Sequence, residues 1–281
     1  MSPMTNAIRL GVVRGWIEFK ILYLKNPQGL LETVIFAILL VGVLWFERTT
    51  KIEGVSLALL TLPGLLGMLI ANEGLSDVAK ILSYDREDGT LLRAKAIPQG
   101  MVGYLIARVV LTIFSTIFIL ALVFILSLFV VPGLANLDGL RILTLLGVLV
   151  LGLLATAPIG AIIGSLVKNS GAGFGLTFFP LVVLVAISGI FYPISALPAW
   201  VQWIAQVFPV YWLGLGLRSV FSPQAAVALE IGGTFRPLAT FLVLAVWAVV
   251  GLLLAPPILR RMARRTSGGE MEAGKQRSIR R

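Results

Sequence analysis

The sequence predicts an all-α polytopic membrane protein with six transmembrane helices. Three observations carry this expectation. Hydrophobic residues make up 58% of the chain and charged residues 13%, and the mean hydropathy is +0.98, more apolar surface than a soluble fold of 281 residues could bury. The apolar residues fall in uninterrupted runs of about 20, the length an α-helix needs to cross a bilayer. Those runs lack the apolar–polar alternation of barrel strands.

Residues 1–29 precede the first run and read as an amphipathic helix lying in the cytoplasmic interface. Ile8, Val12, Trp16, Phe19 and Tyr23 recur at helical spacing, and Arg9 and Lys20 flank them within reach of lipid phosphates. Leu10, Ile17 and Ile21 interrupt the polar face, so a plain cytoplasmic lead-in is the alternative. Pro27 ends the segment, and no cleavable secretory signal is evident. Residues 30–259 form the transmembrane domain, with spans at Leu30 to Phe46, Val55 to Leu75, Met101 to Val131, Leu140 to Val167, Ala172 to Phe191 and Leu238 to Leu259. A further apolar stretch, Ile194 to Leu217, is cut by Pro198 and Pro209 into halves too short to cross, which suits a re-entrant helical pair at about 194–221. Residues 260–281 form a basic, polar, glycine-bearing tail expected to be disordered.

Charge placement orients the spans. With both termini cytoplasmic, 17 of the 23 Lys and Arg residues lie inside, including the whole basic tail. Only Arg48, Lys51, Arg141, Arg218 and Arg236 lie outside, and Arg108 snorkels from the third span. A seventh span would export the most basic segment. The expected location is therefore the cell membrane, inner or plasma, multi-pass, with the net charge of +10 facing anionic lipid rather than nucleic acid.

Several function classes have nothing to work with. The chain has no Cys and no His, and it lacks HExxH, GxSxG and GxxxxGK[ST], so neither an enzyme centre nor an ATP site of its own is expected, and no cofactor or metal. Ionisable residues near the apolar runs are few: Glu32, Arg108 and the group Asn72, Glu73 and Asp77, each readable as interfacial. Glu73 and Asp77 are the carriers an ion-coupled transporter would need. Gly160 and Gly164 form a small-xxx-small pair for close helix packing, and Pro180 should kink the fifth span.

Two polar elements remain. Between spans two and three the block Tyr84, Asp85, Arg86, Glu87, Asp88, Gly89, Thr90, Leu91 and Arg93 predicts a cytoplasmic helix at about 84–97. Its acids can pair with Arg or Lys of a soluble partner, Leu91 and Leu92 offer apolar anchors, and Gly89 permits a tight break. Between spans five and six Phe191, Tyr192, Pro193, Pro198, Trp200, Trp203, Pro209, Tyr211 and Arg218 gather where an external cap or an aromatic interfacial belt would stand. Arg218 could steer an anion, or form a salt bridge or lipid contact.

The stretch Tyr84 to Leu91, closed by Pro98, resembles the RExGTL-type coupling helix of the type-2 ABC exporter permeases. The stretch Gly189-Ile190-Phe191-Tyr192-Pro193, Leu197-Pro198-Ala199-Trp200, Pro209 and Arg218 resembles the GxFxP, LPxW, P and R pattern of the same family. The resemblance runs to about Arg265 and implies a permease subunit, most similar to the daunorubicin-type drug and antibiotic exporters. It implies two copies of a separate ATP-binding subunit that hold ATP and Mg, a second permease copy as homodimer or heterodimer, and a connecting role for the amino-terminal helix. Polysaccharide, teichoic-acid or sodium export by related permeases, and an ion-coupled secondary transporter, are the alternatives.

Overall fold

The computed structural model describes residues 3–52, 54–131, 134, 138–166, 170–190, 192, 194–222 and 224–265. Phe191, Pro193 and the tail beyond 265 lie outside these residues. Eleven α-helices are found among the described residues: α1 Pro3–Phe19, α2 Pro27–Glu47, α3 Leu57–Asn72, α4 Val78–Glu87, α5 Thr90–Lys95, α6 Gly100–Leu128, α7 Gly139–Leu166, α8 Ser170–Ile187, α9 Ala199–Val207, α10 Pro209–Phe221 and α11 Pro237–Arg265. A two-residue β-hairpin, β1 Lys51–Ile52 with β2 Val55–Ser56, joins α2 to α3.

Among the described residues five helices are long and apolar enough to cross a membrane, Pro27–Glu47, Leu57–Glu87, Gly100–Leu128, Gly139–Leu166 and Pro237–Ala255, and the bent pair α9–α10 makes six if it counts as one crossing. The predicted fifth crossing coincides with α8, which continues through Pro180 to Ile187. α9 and α10 meet at an angle of 92° at Phe208, where Pro209 opens the second helix. The two prolines noted in the sequence thus bound these helices, since Pro198 precedes α9 in extended conformation.

The core is organised around one long element. α3 and α4 are joined by a π-helical turn, Glu73–Asp77, into a helix that runs Leu57–Glu87. It is the most enclosed of the crossings, whereas α2 buries only the stripe Ala37, Val41 and Leu44 and exposes Leu39, Val43 and Phe46. Against the long helix packs α7. A Cβ at Gly160 would lie 2.2 Å from the Gly74 carbonyl oxygen and 2.6 Å from that of Leu75, and one at Gly164 would lie 2.7 Å from the Ala79 oxygen. Gly160 and Gly164 thus lie backbone against backbone on the long helix, the first on the π turn and the second on the start of α4.

The amino-terminal helix meets the rest of the chain through its small residues. α1 runs beside the first half of α6 and in the same direction: Gly11 packs on Gly103 and Ile106, Gly15 on Ala107 and Val110, and Phe19 on Phe114 and Phe118. Of the predicted apolar face only Phe19 is buried, while Ile8 and Val12 are exposed. The reason is that two glycines permit a closer approach than any larger side chain would, so they, not the bulky residues, select the contact face.

Candidate functional site

α4 ends at Glu87, Asp88 caps it, and Gly89 takes a left-handed conformation at φ 77 before α5 begins. The Asp88 carboxylate accepts the Thr90 backbone N–H at 2.8 Å, and Arg93 Nη2 donates to Thr90 Oγ1 at 2.9 Å. The predicted helix over 84–97 is thus two helices joined by a tight turn. Residues turned inward are Leu82, Leu91 and Ala94, which pack with Tyr104 and Ala255. Turned outward are Lys80, Tyr84, Glu87, Asp88, Arg93 and Ile97, while Arg86 is half-buried. Leu91, read from sequence as an anchor for a partner, is 2% exposed and anchors the turn to its own chain instead.

Asp85 needs the same correction. It is 6% exposed and engaged inside the molecule. Its Oδ1 accepts Arg108 Nη2 at 2.7 Å and its Oδ2 accepts the Tyr104 hydroxyl at 2.6 Å. Arg108 Nη1 donates in turn to Glu18 at 2.7 Å, and Glu18 accepts Arg14 Nε at 2.7 Å. The alternating charges Arg14, Glu18, Arg108 and Asp85 therefore clasp three helices, α1, α6 and α4, and Arg108 is paired rather than snorkelling. The acid that heads the charged block faces inward because the block is helical and only one of its sides reaches water.

A second polar group lies nearby. Asn72 Nδ2 donates to Asp77 at 2.9 Å, and Glu73 and Asp77 share the π turn as half-buried carboxylates. Tyr23, in the turn after α1, packs on Phe19 and Phe118. Burial, with the Glu73 carboxylate adding to it, pushes the Tyr23 phenol up to about 12, so it remains a neutral hydroxyl at physiological pH.

At the opposite end, α9 and α10 split the predicted cap residues into two sets. Trp200 and Trp203 are exposed, as are Pro198 and Tyr192, whose hydroxyl donates to the Ala186 carbonyl. Pro209, Tyr211 and Arg218 are buried. Arg218 pairs with Glu230 through two hydrogen bonds, and its Nη1 donates to the Gly189 carbonyl at 3.2 Å. Of the readings open for Arg218, the salt bridge is the one found, and it leaves no free charge there to steer an anion. Tyr211 is wholly enclosed and so lacks the exposure of a belt residue. Glu230 went unnoticed in the sequence because nothing in its spacing links it to Arg218.

Residues 13–222, from within α1 to the end of α10, match the family model described as ABC-2 type transporter. No curated protein matches the chain.

Proposed function

The chain belongs to the ABC-2 type transporter family, and from that membership we propose that it is the permease subunit of an ATP-driven exporter of amphipathic, drug-like or lipid-linked compounds. The family implies an ATP-binding partner subunit. In this reading that partner docks on the outward side of the α4–α5 turn and holds ATP and Mg, two copies serve a pair of permease chains, and both termini are cytoplasmic. The observation that carries the docking site is the clasp: a turn presenting Tyr84, Glu87, Asp88, Arg93 and Ile97 is bound through Asp85 to Arg108 and Glu18.

The mechanism follows from how force can travel. When ATP closes the partner dimer, a displacement of α4–α5 is passed to α6 and α1 by the charged clasp and along the Leu57–Glu87 helix to the far end. There the helix meets the α10 cap, where Gly67 packs on Gly214. Binding and release of nucleotide would then bias the spans between inward-open and outward-open arrangements. The re-entrant pair α9–α10 closes the outer end, with Trp200 and Trp203 at the lipid boundary.

Copurification tests the docking assignment. The variant Tyr84→Ala/Glu87→Lys changes only outward side chains and should lose the ATPase subunit while remaining folded. Equal recovery of the partner would remove the assignment. Transport that persists without ATP and collapses with an ion gradient would instead move the energy-coupling role to Glu73 and Asp77.

A further inference from the structure

We infer that Arg236 forms a binding site for the phosphodiester headgroup of a membrane lipid at the α9–α10 end of the protein. Arg236 stands immediately before α11 in a left-handed conformation, φ 44, unusual for a residue with a side chain. Its side chain folds back over the bend between α9 and α10. Nη1 donates to Gln206 Oε1 at 2.9 Å, and Nη2 donates to the Tyr211 hydroxyl. The guanidinium carbon lies 5.0 Å from the centre of the Trp212 ring and 5.7 Å from that of Tyr211.

Every one of these partners is neutral. The neighbouring acid, Glu230, is taken by Arg218, and among the described residues no carboxylate forms an ion pair with Arg236. A guanidinium carries five N–H donors. Two are used, Nε is buried without an acceptor, and each terminal nitrogen keeps a further N–H. A half-buried cation without a counter-charge is costly in apolar surroundings. The remaining N–H of each terminal nitrogen can donate to an oxygen of a phosphodiester.

The surroundings select a lipid as the carrier of that phosphate. On α9 the side chains Trp200, Trp203, Ile204 and Val207 are exposed, and so are Leu238 and Leu242 at the start of α11. Trp247 Nε1 donates to the Val207 carbonyl at 2.8 Å, so the bend of the hairpin is fastened to α11. An apolar surface beside an unpaired cation provides for acyl chains and headgroup together. The site requires that the chain span a bilayer and does not depend on where the ATPase docks, so the copurification result does not bear on it.

Native mass spectrometry of the purified full chain in a neutral maltoside detergent tests this, with phosphatidylglycerol titrated against diacylglycerol. Wild type should take up phosphatidylglycerol in a first step about tenfold tighter than Arg236→Gln does, the size of one charge-assisted contact. Diacylglycerol should bind both alike. Arg141→Gln, the same charge change at the same end of the protein, should leave that step unchanged. Arg236→Lys keeps the charge and loses the fork, so it should fold and bind at an intermediate level. Equal losses in Arg236→Gln and Arg141→Gln would mean general charge attraction and overturn the site. Displacement by inorganic phosphate as effective as by lipid would identify free phosphate as the ligand. Loss of dimer in Arg236→Gln, with lipid binding unaltered, would assign the counter-charge to a second copy; either result overturns the lipid assignment.

Discussion

Removing the carboxylate of Asp85 should reveal the clasp as a stabilising and not merely decorative feature. Asp85 accepts the Tyr104 hydroxyl at 2.6 Å and Arg108 at 2.7 Å. Tyr104 is 2% exposed, so in Asp85→Ala its hydroxyl loses its acceptor with no ready access to water, a cost of about 1–3 kcal/mol. Arg108 is less affected, because it keeps Glu18 at 2.7 Å and its side chain is 20% exposed. Together the loss should be about 3 kcal/mol. Asp85→Asn, which retains one oxygen for one of the two donors, should lose about half of that. The assay is reversible unfolding in mixed micelles, followed by tryptophan fluorescence, for Asp85→Asn, Arg108→Gln and the double variant. The cycle should yield a coupling energy of about 1 kcal/mol, as expected for directly contacting groups in one network. Additivity to within about 0.5 kcal/mol would refute the clasp.

Two further outcomes follow from the packing. Gly160→Ala should destabilise by about 1–3 kcal/mol, because its new Cβ meets backbone oxygens at 2.2 and 2.6 Å, whereas Gly42→Ala, with nothing within 4 Å, should stabilise α2 slightly by its better helix propensity; melting temperatures of opposite shift would establish the contrast. Glu230→Ala leaves the buried Arg218 charge without its partner and should cost about 3–5 kcal/mol, while Arg218→Met/Glu230→Met should recover most of it, as measured by thermal unfolding.

How much was legible in the sequence differs between the elements. The long apolar runs announce the crossings because the bilayer leaves a helix little freedom of composition, and Pro198 and Pro209 announce the bent pair because proline cannot lie in a helix interior without cost. Gly160 and Gly164 were readable as a packing seam because their spacing repeats along one helix face. The clasp was not readable: Glu18, Asp85 and Arg108 are separated by tens of residues, and no local pattern states that a charged block has an inward side. The same holds for Glu230 with Arg218, whose pairing depends on how the segment after α10 returns. The side of α1 that meets α6 is not legible in the sequence, because hydrophobic periodicity gives weight to large side chains, and Gly11 and Gly15 register as gaps in it.

The π-helical turn Glu73–Asp77 has a bearing on which changes in chain length the protein can accept. A single-turn π-bulge carries one residue more than the α-helical turn it replaces, and each residue of an α-helix advances the side-chain direction by about 100°. The turn therefore sets the angular phase of α4 against α3. Deleting one of its residues would restore an ordinary α-helical turn and leave Asp85 facing Arg108, whereas deleting a residue of α4 ahead of Asp85, with the π turn kept, would bring Arg86 to the angle that Asp85 now occupies and set one guanidinium against another. The π turn is thus where this helix can give up a residue, and within α4 the same deletion is an electrostatic change before it is a change of length.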